Sequence, residues 1–272
     1  MLNFNTNYLN NFPPVAQASV QRALNTWSAA LDSPVAVEVW LVWDVVLPPG
    51  LTAMCIPNPV DNFANAPINN CWYPGSLADK LAGADTKPGE PDMTVFFGQA
   101  NWHTGTGNPP PHEFDLESIA LHELGHGFGF VSTFLADNNW PNTGDYGDQA
   151  LIALANTAVA GTGQPLGFVL PNLNNQPSVY GLHIQDVTGA QLTSPASFPN
   201  PPSQALGAAL TGYNLFFDMN HYSIYAPNPF LPFTSIDHLT DPNSLMRPGI
   251  DPGIRVRAID APVLEILHSL GW

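Results

Sequence analysis

The sequence predicts an α+β fold, in which residues 1–272 form a single domain of two lobes around a cleft. In the first half, helical and strand-like patterns follow one another in the order helix, strand, loop, strand, helix. The second half is loop-rich, with many of the chain's 29 prolines and 22 glycines, and it ends in a clear helix. We therefore expect a twisted mixed sheet with helices in an N-terminal lobe of about 1–129. A C-terminal lobe of about 130–272 would follow.

The first two predicted elements are a helix and a buried strand. After a polar, Asn-rich start, residues 15–31 carry apolar side chains at helical spacing, and an Asp-Ser-Pro sequence ends that pattern. Residues 35–47 form an apolar run that Glu38 and Asp44 interrupt. The run is too short and too charged for a membrane span, so we interpret it as a strand.

Residues 48–75 are rich in Pro and Asn, and we expect an irregular surface segment there. Residues 76–81 can form one short helical turn. The sequence M-T-V-F-F-G at 93–98 predicts a strand, which ends just before a polar segment at 99–112.

The segment S-I-A-L-H-E-L-G-H-G-F-G-F at 118–130 contains His122, Glu123 and His126 in the pattern His-Glu-x-x-His. Positions four apart lie one above the other on a helix, so the two imidazoles can share one metal ion. Glu123 projects beside them and can accept a proton from a metal-bound water without being a ligand. Asp115 is placed to cap this helix, and the glycines after Leu124 allow close packing and end it.

The second half has weaker patterns, apart from its last helix. We predict a helix at 148–160, loop at 161–177, a hairpin around Thr188 and Gly189 within 179–192, and a Pro-rich segment at 194–202. Much of this half is either ordered loop packed by aromatic side chains or a mobile insert. The aromatic candidates are Tyr213, Phe216, Phe217, Tyr222 and Tyr225. Residues 260–270 form the clear helix, with Asp260 as cap and Gly271 as stop.

A catalytic zinc usually takes three protein ligands, so the helix needs a partner. Glu265 is the only glutamate after Glu123 and falls in the last helix, which argues against a site of two histidines and one glutamate. Four histidines belong to other predicted segments, namely His103, His112, His183 and His268. His221 and His238 both remain open as the third ligand.

Charge and composition narrow the classes of partner. Lys and Arg total 6 against 22 Asp and Glu, a formal net charge of -16. This balance argues against nucleic acid and anionic membrane surfaces, which reward basic patches. No segment is long and apolar enough for a membrane span, and the N-terminus has no signal-peptide pattern. Calcium is compatible with the many loop Asp and Asn residues, but no Asp-x-Asp-x-Asp-Gly loop supports it.

The two cysteines, Cys55 and Cys71, would close a short loop if paired. In an exported protein such a disulfide contributes roughly 3 kcal/mol by loop-closure estimates. Two unrelated thiols are the alternative.

His122, Glu123, His126 and Gly129, followed much later by His238 and by Leu-Met-x-Pro at 245–248, resemble the metzincin metallopeptidases. The late histidine is similar to the leishmanolysin-like branch. Bacterial secreted metalloproteases are more similar still, with H-E-L-G-H-G-x-G-F, then S-x-x-H-L ahead of L-M-x-P, and a terminal L-G-W. The sequences W-Y-P-G-S-L-A-D at 72–79 and P-D-M at 91–93 also look like that group, so the resemblance covers most of the chain.

The resemblance implies that His122, His126 and His238 bind one catalytic Zn²⁺, that Glu123 is the general base, and that Met246 forms the Met-turn beneath the metal. It also implies a large insertion of about 133–234. No tyrosine follows Met246 closely, so the tyrosine ligand of astacins is not expected.

The implied activity is that of a secreted or cell-surface zinc endopeptidase, acting as a monomer on a protein or peptide. The substrate would lie as an extended strand along the edge of the upper sheet, which we place at 96–102. Asp237 can orient an imidazole, but an Asp in such a loop more often caps a turn. Two alternatives stay open: a non-catalytic or latent zinc-binding surface or adhesion module, and a zinc hydrolase of non-peptide amides. Glu123 argues against the first, since a structural site needs no carboxylate there.

Overall fold

The computed structural model describes residues 1–138, 142–193, 203–212, 214–218 and 222–272. Over these residues the protein is a mixed α+β structure with six α-helices, one 3₁₀ helix and several small sheets. The α-helices are α1 Pro14–Ala30, α2 Gly75–Ala82, α3 Leu116–Phe128, α4 Gln149–Thr162, α5 Gln204–Leu210 and α6 Ala261–Leu270, and the 3₁₀ helix is Gly181–His183. No helix in the described ranges is long and apolar enough to cross a membrane.

The largest sheet has four strands, β1 Phe4–Leu9, β2 Val37–Val45, β3 Ala53–Pro57 and β6 Met93–Gly98, in the spatial order β1, β2, β6, β3. β1, β2 and β6 are parallel, whereas β3 runs antiparallel to β6. Every residue of β6 is buried, as its continuous apolar sequence predicts for a strand covered on both faces. Because β3 comes last in the order of strands, it is an edge strand, and among the described residues one side of its backbone has no strand neighbour in this sheet.

The remaining strands form small sheets around this one. They pair as β4 Pro59–Val60 with β5 Tyr73–Pro74, β7 Trp102–His103 with β8 Phe114–Asp115, and β9 Phe134–Ala136 with β10 Gly144–Tyr146. A three-stranded sheet in the second half has the order β11 Ile184–Gln185, β12 Leu215–Phe217, β13 Tyr222–Ile224.

α3 lies at the centre of the molecule, and all of its residues are buried. It packs against α1, β3 and β6. Two tryptophans fix it: the Trp27 indole N–H of α1 donates to the Leu121 carbonyl at 2.9 Å, and the Trp272 indole N–H donates to the Phe128 carbonyl at 2.6 Å. A buried indole needs such an acceptor, so these bonds help to set the position of the helix.

Most predicted elements are confirmed within a few residues. The helices predicted at 15–31, 76–81, 118–130, 148–160 and 260–270 correspond to α1, α2, α3, α4 and α6, and the strands predicted at 35–47 and 93–98 correspond to β2 and β6. The turn predicted near Thr188 is present, because the backbone closes between Asp186 and Ala190 and Gln185 bridges to Gln191. The Pro-rich segment 194–202, Tyr213 and His221 lie outside the described residues.

Two predictions in the first half are wrong. Residues 48–75 contain β3, β4 and β5 and are not simply an irregular segment. The segment 96–102 is not the sheet edge, because β6 is hydrogen-bonded to β2 on one side and to β3 on the other. The polar start of the chain, for which no element was predicted, forms β1. The first four residues of this strand alternate between half-buried and exposed, so the polar sequence N-T-N is compatible with an edge strand that is partly solvated.

Asp260 does not cap α6 with its side chain. Its carboxylate accepts instead from the Leu245 N–H at 2.8 Å, so it holds the segment that carries Met246. Gly271 ends the helix as predicted.

The predicted disulfide is also wrong, because Cys55 and Cys71 are free thiols. Cys55 lies on β3 with its sulfur close to Gly127 of α3. Cys71 is buried just before β5, and its thiol approaches the Trp72 carbonyl. Each thiol thus has its own neighbours, although both pack against the same hydrophobic core.

Candidate metal centre

Three imidazoles meet at one point in the structure. His122 and His126 lie one turn apart on α3, and His238 is brought to them by the loop between β13 and α6. The Nε2 atom of His122 lies 3.2 Å from Nε2 of His126 and 3.2 Å from Nε2 of His238. All three residues are buried, with exposures of 4–9%. The described residues thus contain one group of ligand-type side chains that could hold a metal ion.

The other ring nitrogen of each histidine is fixed by the backbone. The Nδ1 atoms lie 2.6–2.7 Å from three carbonyl oxygens, those of Leu245 for His122, Phe130 for His126 and Thr234 for His238. A carbonyl can only accept, so each Nδ1 carries the proton and donates it. The three Nε2 lone pairs are then left facing one another, which is the arrangement that metal-binding histidines adopt.

The spacing of these nitrogens suits a cation. Three lone pairs that face one another, two of them 3.2 Å from that of His122, repel unless a positive charge lies between them. A tetrahedral zinc with bonds of about 2.0–2.1 Å places its ligand nitrogens roughly 3.3–3.4 Å apart. The three residues therefore fit a divalent metal ion with tetrahedral preference.

Burial prepares the histidines as neutral ligands. Desolvation lowers the pKa of His122 to about 4 and that of His126 to about 3, and it lowers the pKa of His238 well below the usual value. The hydrogen bonds to the backbone carbonyls only partly oppose this effect. All three rings are consequently uncharged at neutral pH, with their single proton on Nδ1, so a metal does not have to displace a proton from Nε2.

Glu123 lies beside the three histidines in a cleft of about 290 Å³. Its side chain is buried, and desolvation raises the pKa of its carboxyl to about 8, while a hydrogen bond from the Cys55 backbone acts in the opposite direction. A nearby cation favours the ionised form and lowers this pKa. A carboxyl with these properties is suited to exchange protons at neutral pH.

Met246 packs directly against α3 between the two histidine positions. It is fully buried, and a methyl group added at Gly125 would come within 2.5 Å of the Met246 sulfur. The turn around it is closed by the Leu239 N–H, which donates to the Met246 carbonyl at 2.7 Å. The neighbouring Leu245 carbonyl orients His122, so this turn supports the site from below and also positions one ligand.

Among the described residues, Asp237 makes no hydrogen bond to an imidazole of the centre. Its carboxylate accepts from the Ser132 N–H at 2.7 Å, and this bond ties the loop of His238 to the segment that follows α3. Burial raises the pKa of Asp237 to about 7. The residue thus bridges two segments, which is a longer-range role than the turn cap expected from sequence.

The other histidines that the sequence offered lie apart from this centre. His103 is beside Glu113, His183 is beside Asp218 and stacks on Phe217, and His112 and His268 are exposed. His221 falls outside the described residues. Of the two histidines left open by residue reasoning, the structure describes His238, and it brings this residue to α3.

An ion network that sequence reasoning missed holds the start of α3. Asp115 caps the helix by accepting from the Ser118 N–H, as predicted, and is fully buried. Arg257 donates to both Asp115 oxygens, at 2.5 and 2.8 Å, and lies 3.3 Å from Glu117, which also binds Arg22 at 2.6 Å. Burial alone would raise the pKa of Asp115, but the bonds from Arg257 and Ser118 lower it. The charge of the cap is thereby kept.

Comparison with known proteins gave no assignment. No protein-family profile matches the chain, and no curated protein or solved structure matches it significantly.

Proposed function

We propose that this protein is a zinc-dependent endopeptidase that hydrolyses peptide bonds at the centre formed by His122, His126 and His238. One observation carries the proposal: three Nε2 lone pairs converge beside a buried carboxylate in an open cleft. A closed structural zinc site uses a fourth protein ligand, and the described residues offer only three. Three ligands and an adjacent Glu are the composition of a hydrolytic site.

The histidines would hold Zn²⁺, which when bound supplies a Lewis acid that lowers the pKa of water and polarises a carbonyl. Glu123 takes the proton from the attacking water and later delivers it to the leaving amine. Its burial suits both steps, because a carboxyl with a raised pKa accepts and returns a proton near neutral pH. The Cys55 backbone N–H, which bonds to Glu123, holds the carboxylate in place.

The substrate would lie along β3. Among the described residues β3 has no strand partner on one side. β3 and the residues just before it line the cleft from Leu51 to Ile56, and Pro248 to Asp251 also line it. An extended peptide can pair with the free edge, and its carbonyl would then pass over the three histidines. β3 takes the place that the sequence had given to 96–102.

The same observations support a metzincin-like arrangement in two lobes, with α3 and the sheet above the cleft and the Met246 turn below it. We further propose that the protein is secreted or cell-surface and acts as a monomer. These proposals rest on the resemblance of the His-Glu-x-x-His, Met-turn and C-terminal motifs.

Metal content and cleavage test the proposal together. Plasma mass spectrometry on the purified wild type should find about one zinc per chain, and His238→Ala should lose most of it. The matched control is His268→Ala, since His268 is exposed on α6 and away from the centre. This control should keep both zinc and activity.

Cleavage of casein should occur with the wild type and disappear in Glu123→Gln, which keeps the shape of the side chain and should retain zinc. Zinc at full occupancy with no cleavage of casein or of a peptide library by the wild type would refute the peptidase and favour a non-catalytic or latent module. Cleavage of small amides but of no peptide would favour the hydrolase of non-peptide substrates.

A further inference from the structure

A second cavity adjoins the cleft and has no role in the chemistry described above. It encloses about 120 Å³ between the end of β3, the residues around Trp72 and helix α4. Its walls are mostly apolar, and Ile56, Trp72, Ile152, Ala155, Leu173 and Phe233 are among them. Among the described residues that line it, Cys55, Tyr73 and Asp237 are the only ionisable ones, and Asp237 is bonded to Ser132.

The walls of this apolar pocket are held by specific contacts. The Trp72 indole N–H donates to the Leu173 carbonyl at 2.9 Å. The backbone N–H of Trp72 donates to the Pro177 carbonyl, and its carbonyl accepts from the Val179 N–H. Trp72, Ile152 and Leu173 form a small buried cluster of their own. The pocket is thus a built feature, with walls from the end of β3, the residues around Trp72 and helix α4.

The apolar pocket lies next to the cleft that contains the three histidines, and the two share part of their walls. Both are lined by Cys55, Ile56, Val131, Phe233 and Asp237. Since β3 forms one wall of each, a peptide extended along β3 past the histidines reaches the apolar pocket at the Pro57 end of the strand. Its side chains alternate in direction, so one of them can point into the pocket.

We propose that the apolar pocket is a specificity subsite that takes one leucine- or phenylalanine-sized side chain of the peptide substrate. This inference rests on the proposed peptidase function and adds the substrate class. An apolar cavity of about 150 Å³ is large enough to bind benzene, so a pocket of about 120 Å³ is of the size that suits an isobutyl or phenyl group. An acidic side chain would have to be desolvated there with no cationic partner among the described lining residues, so it is disfavoured.

Binding of small probes tests the pocket without relying on turnover. Ligand-observed NMR on Glu123→Gln should show that N-acetyl-phenylalaninamide and N-acetyl-leucinamide bind about tenfold or more tightly than N-acetyl-alaninamide. Adding Ala155→Trp should abolish this preference, because the indole would fill the pocket. Ala153→Trp is the matched control, since Ala153 is exposed on the same helix, and it should leave the preference intact.

Ile152→Ala provides a second variant for the case in which Ala155→Trp does not fold. It enlarges the cavity, so N-acetyl-2-naphthylalaninamide should gain affinity relative to the phenylalanine probe. Equal binding of all probes by Glu123→Gln, or a naphthyl affinity that Ile152→Ala does not raise, would overturn the subsite.

Cleavage of a peptide library then separates this inference from the proposed function. The wild type should prefer Leu or Phe at one fixed position from the cut bond, and Ala155→Trp should flatten the preference at that position alone. Cleavage with no apolar preference at any position would refute the subsite and leave the peptidase standing. Probe binding as expected, with no cleavage by the wild type, would refute the peptidase and leave a binding site for apolar side chains.

Discussion

Replacing Asp92 with asparagine should make the protein more stable at neutral pH, by an amount that grows as pH rises. Asp92 is 4% exposed and precedes β6, where it accepts from the Glu38 N–H at 2.9 Å. A hydrogen bond links its carboxyl to that of Asp79 on α2, which in turn accepts from Thr86. Burial first, and then the charge of Asp79, raise the pKa of Asp92 from 3.8 to about 8. The pair therefore shares a proton at neutral pH.

The sign of the effect follows from proton binding. Between pH 3.8 and about 8 the folded protein keeps a proton on Asp92 that the unfolded chain has released. Unfolding then releases a proton, so the free energy of unfolding falls as pH rises across this interval. At about 1.36 kcal/mol per pKa unit the upper limit is about 6 kcal/mol. An amide stays neutral, can accept from Glu38 and can donate to Asp79, so Asp92→Asn removes this loss.

Urea unfolding of wild type and Asp92→Asn at pH 4, 5, 6, 7 and 8 measures the effect through tryptophan fluorescence. The candidate metal centre is the same in both proteins, so the pH dependence that it contributes to the free energy of unfolding cancels in the difference between them. At pH 4 we expect the free energies of unfolding of the two proteins to agree within about 1 kcal/mol. At pH 8 that of Asp92→Asn should exceed that of the wild type by more than about 2 kcal/mol. Asp32→Asn, at an exposed carboxylate, should show no such trend. A difference for Asp92→Asn that is independent of pH would refute the shared proton.

Three further changes are expected to have defined effects. Arg257→Ala leaves the buried Asp115 unpaired and should cost about 3–5 kcal/mol of unfolding free energy in a urea titration, whereas an effect below 1 kcal/mol would contradict the network. Gly125→Ala forces the Met246 side chain aside and should cost about 1–3 kcal/mol and weaken metal binding in a competition titration; unchanged values would show that the turn yields easily. Removing metal with a chelator should lower the Tm of the wild type by roughly 5–10 °C in calorimetry if the free zinc concentration had been about 100-fold above Kd. A chelator effect on the wild type no larger than that on His238→Ala would argue against the site.

The sequence contained the core of the site because its information is local there. The spacing of His122 and His126 on one helix face, the position of Glu123 and the Asp115 cap all lie within four turns of chain, and each is confirmed as a structural prediction. His238 was one of two open choices by residue type, and only the resemblance separated it from His221. The role of each residue in catalysis stays a prediction.

What the sequence did not reveal depends on partners far apart in the chain. The carbonyls that orient the imidazoles carry no side-chain signal, and the bond between Arg257 and Asp115 joins residues 142 positions apart. β3 has only five residues and lies between proline-rich segments, so its period is too short to stand out. Asp260 looked like a helix cap because helix signals are local, whereas its carboxylate is used by Leu245.

The contact between Trp272 and Phe128 has a consequence for the stage of synthesis at which α3 is held in place. Synthesis proceeds from the N-terminus, so α3 with its first two ligands exists long before the indole that binds it, which comes 144 residues later. Asp260 and Leu245, which help to orient His122, are also late. A ribosome-bound chain that stops short of Trp272 would thus carry an incomplete centre. The group of three histidines would thus gain its full support only after Trp272 has been made and its indole has packed against α3.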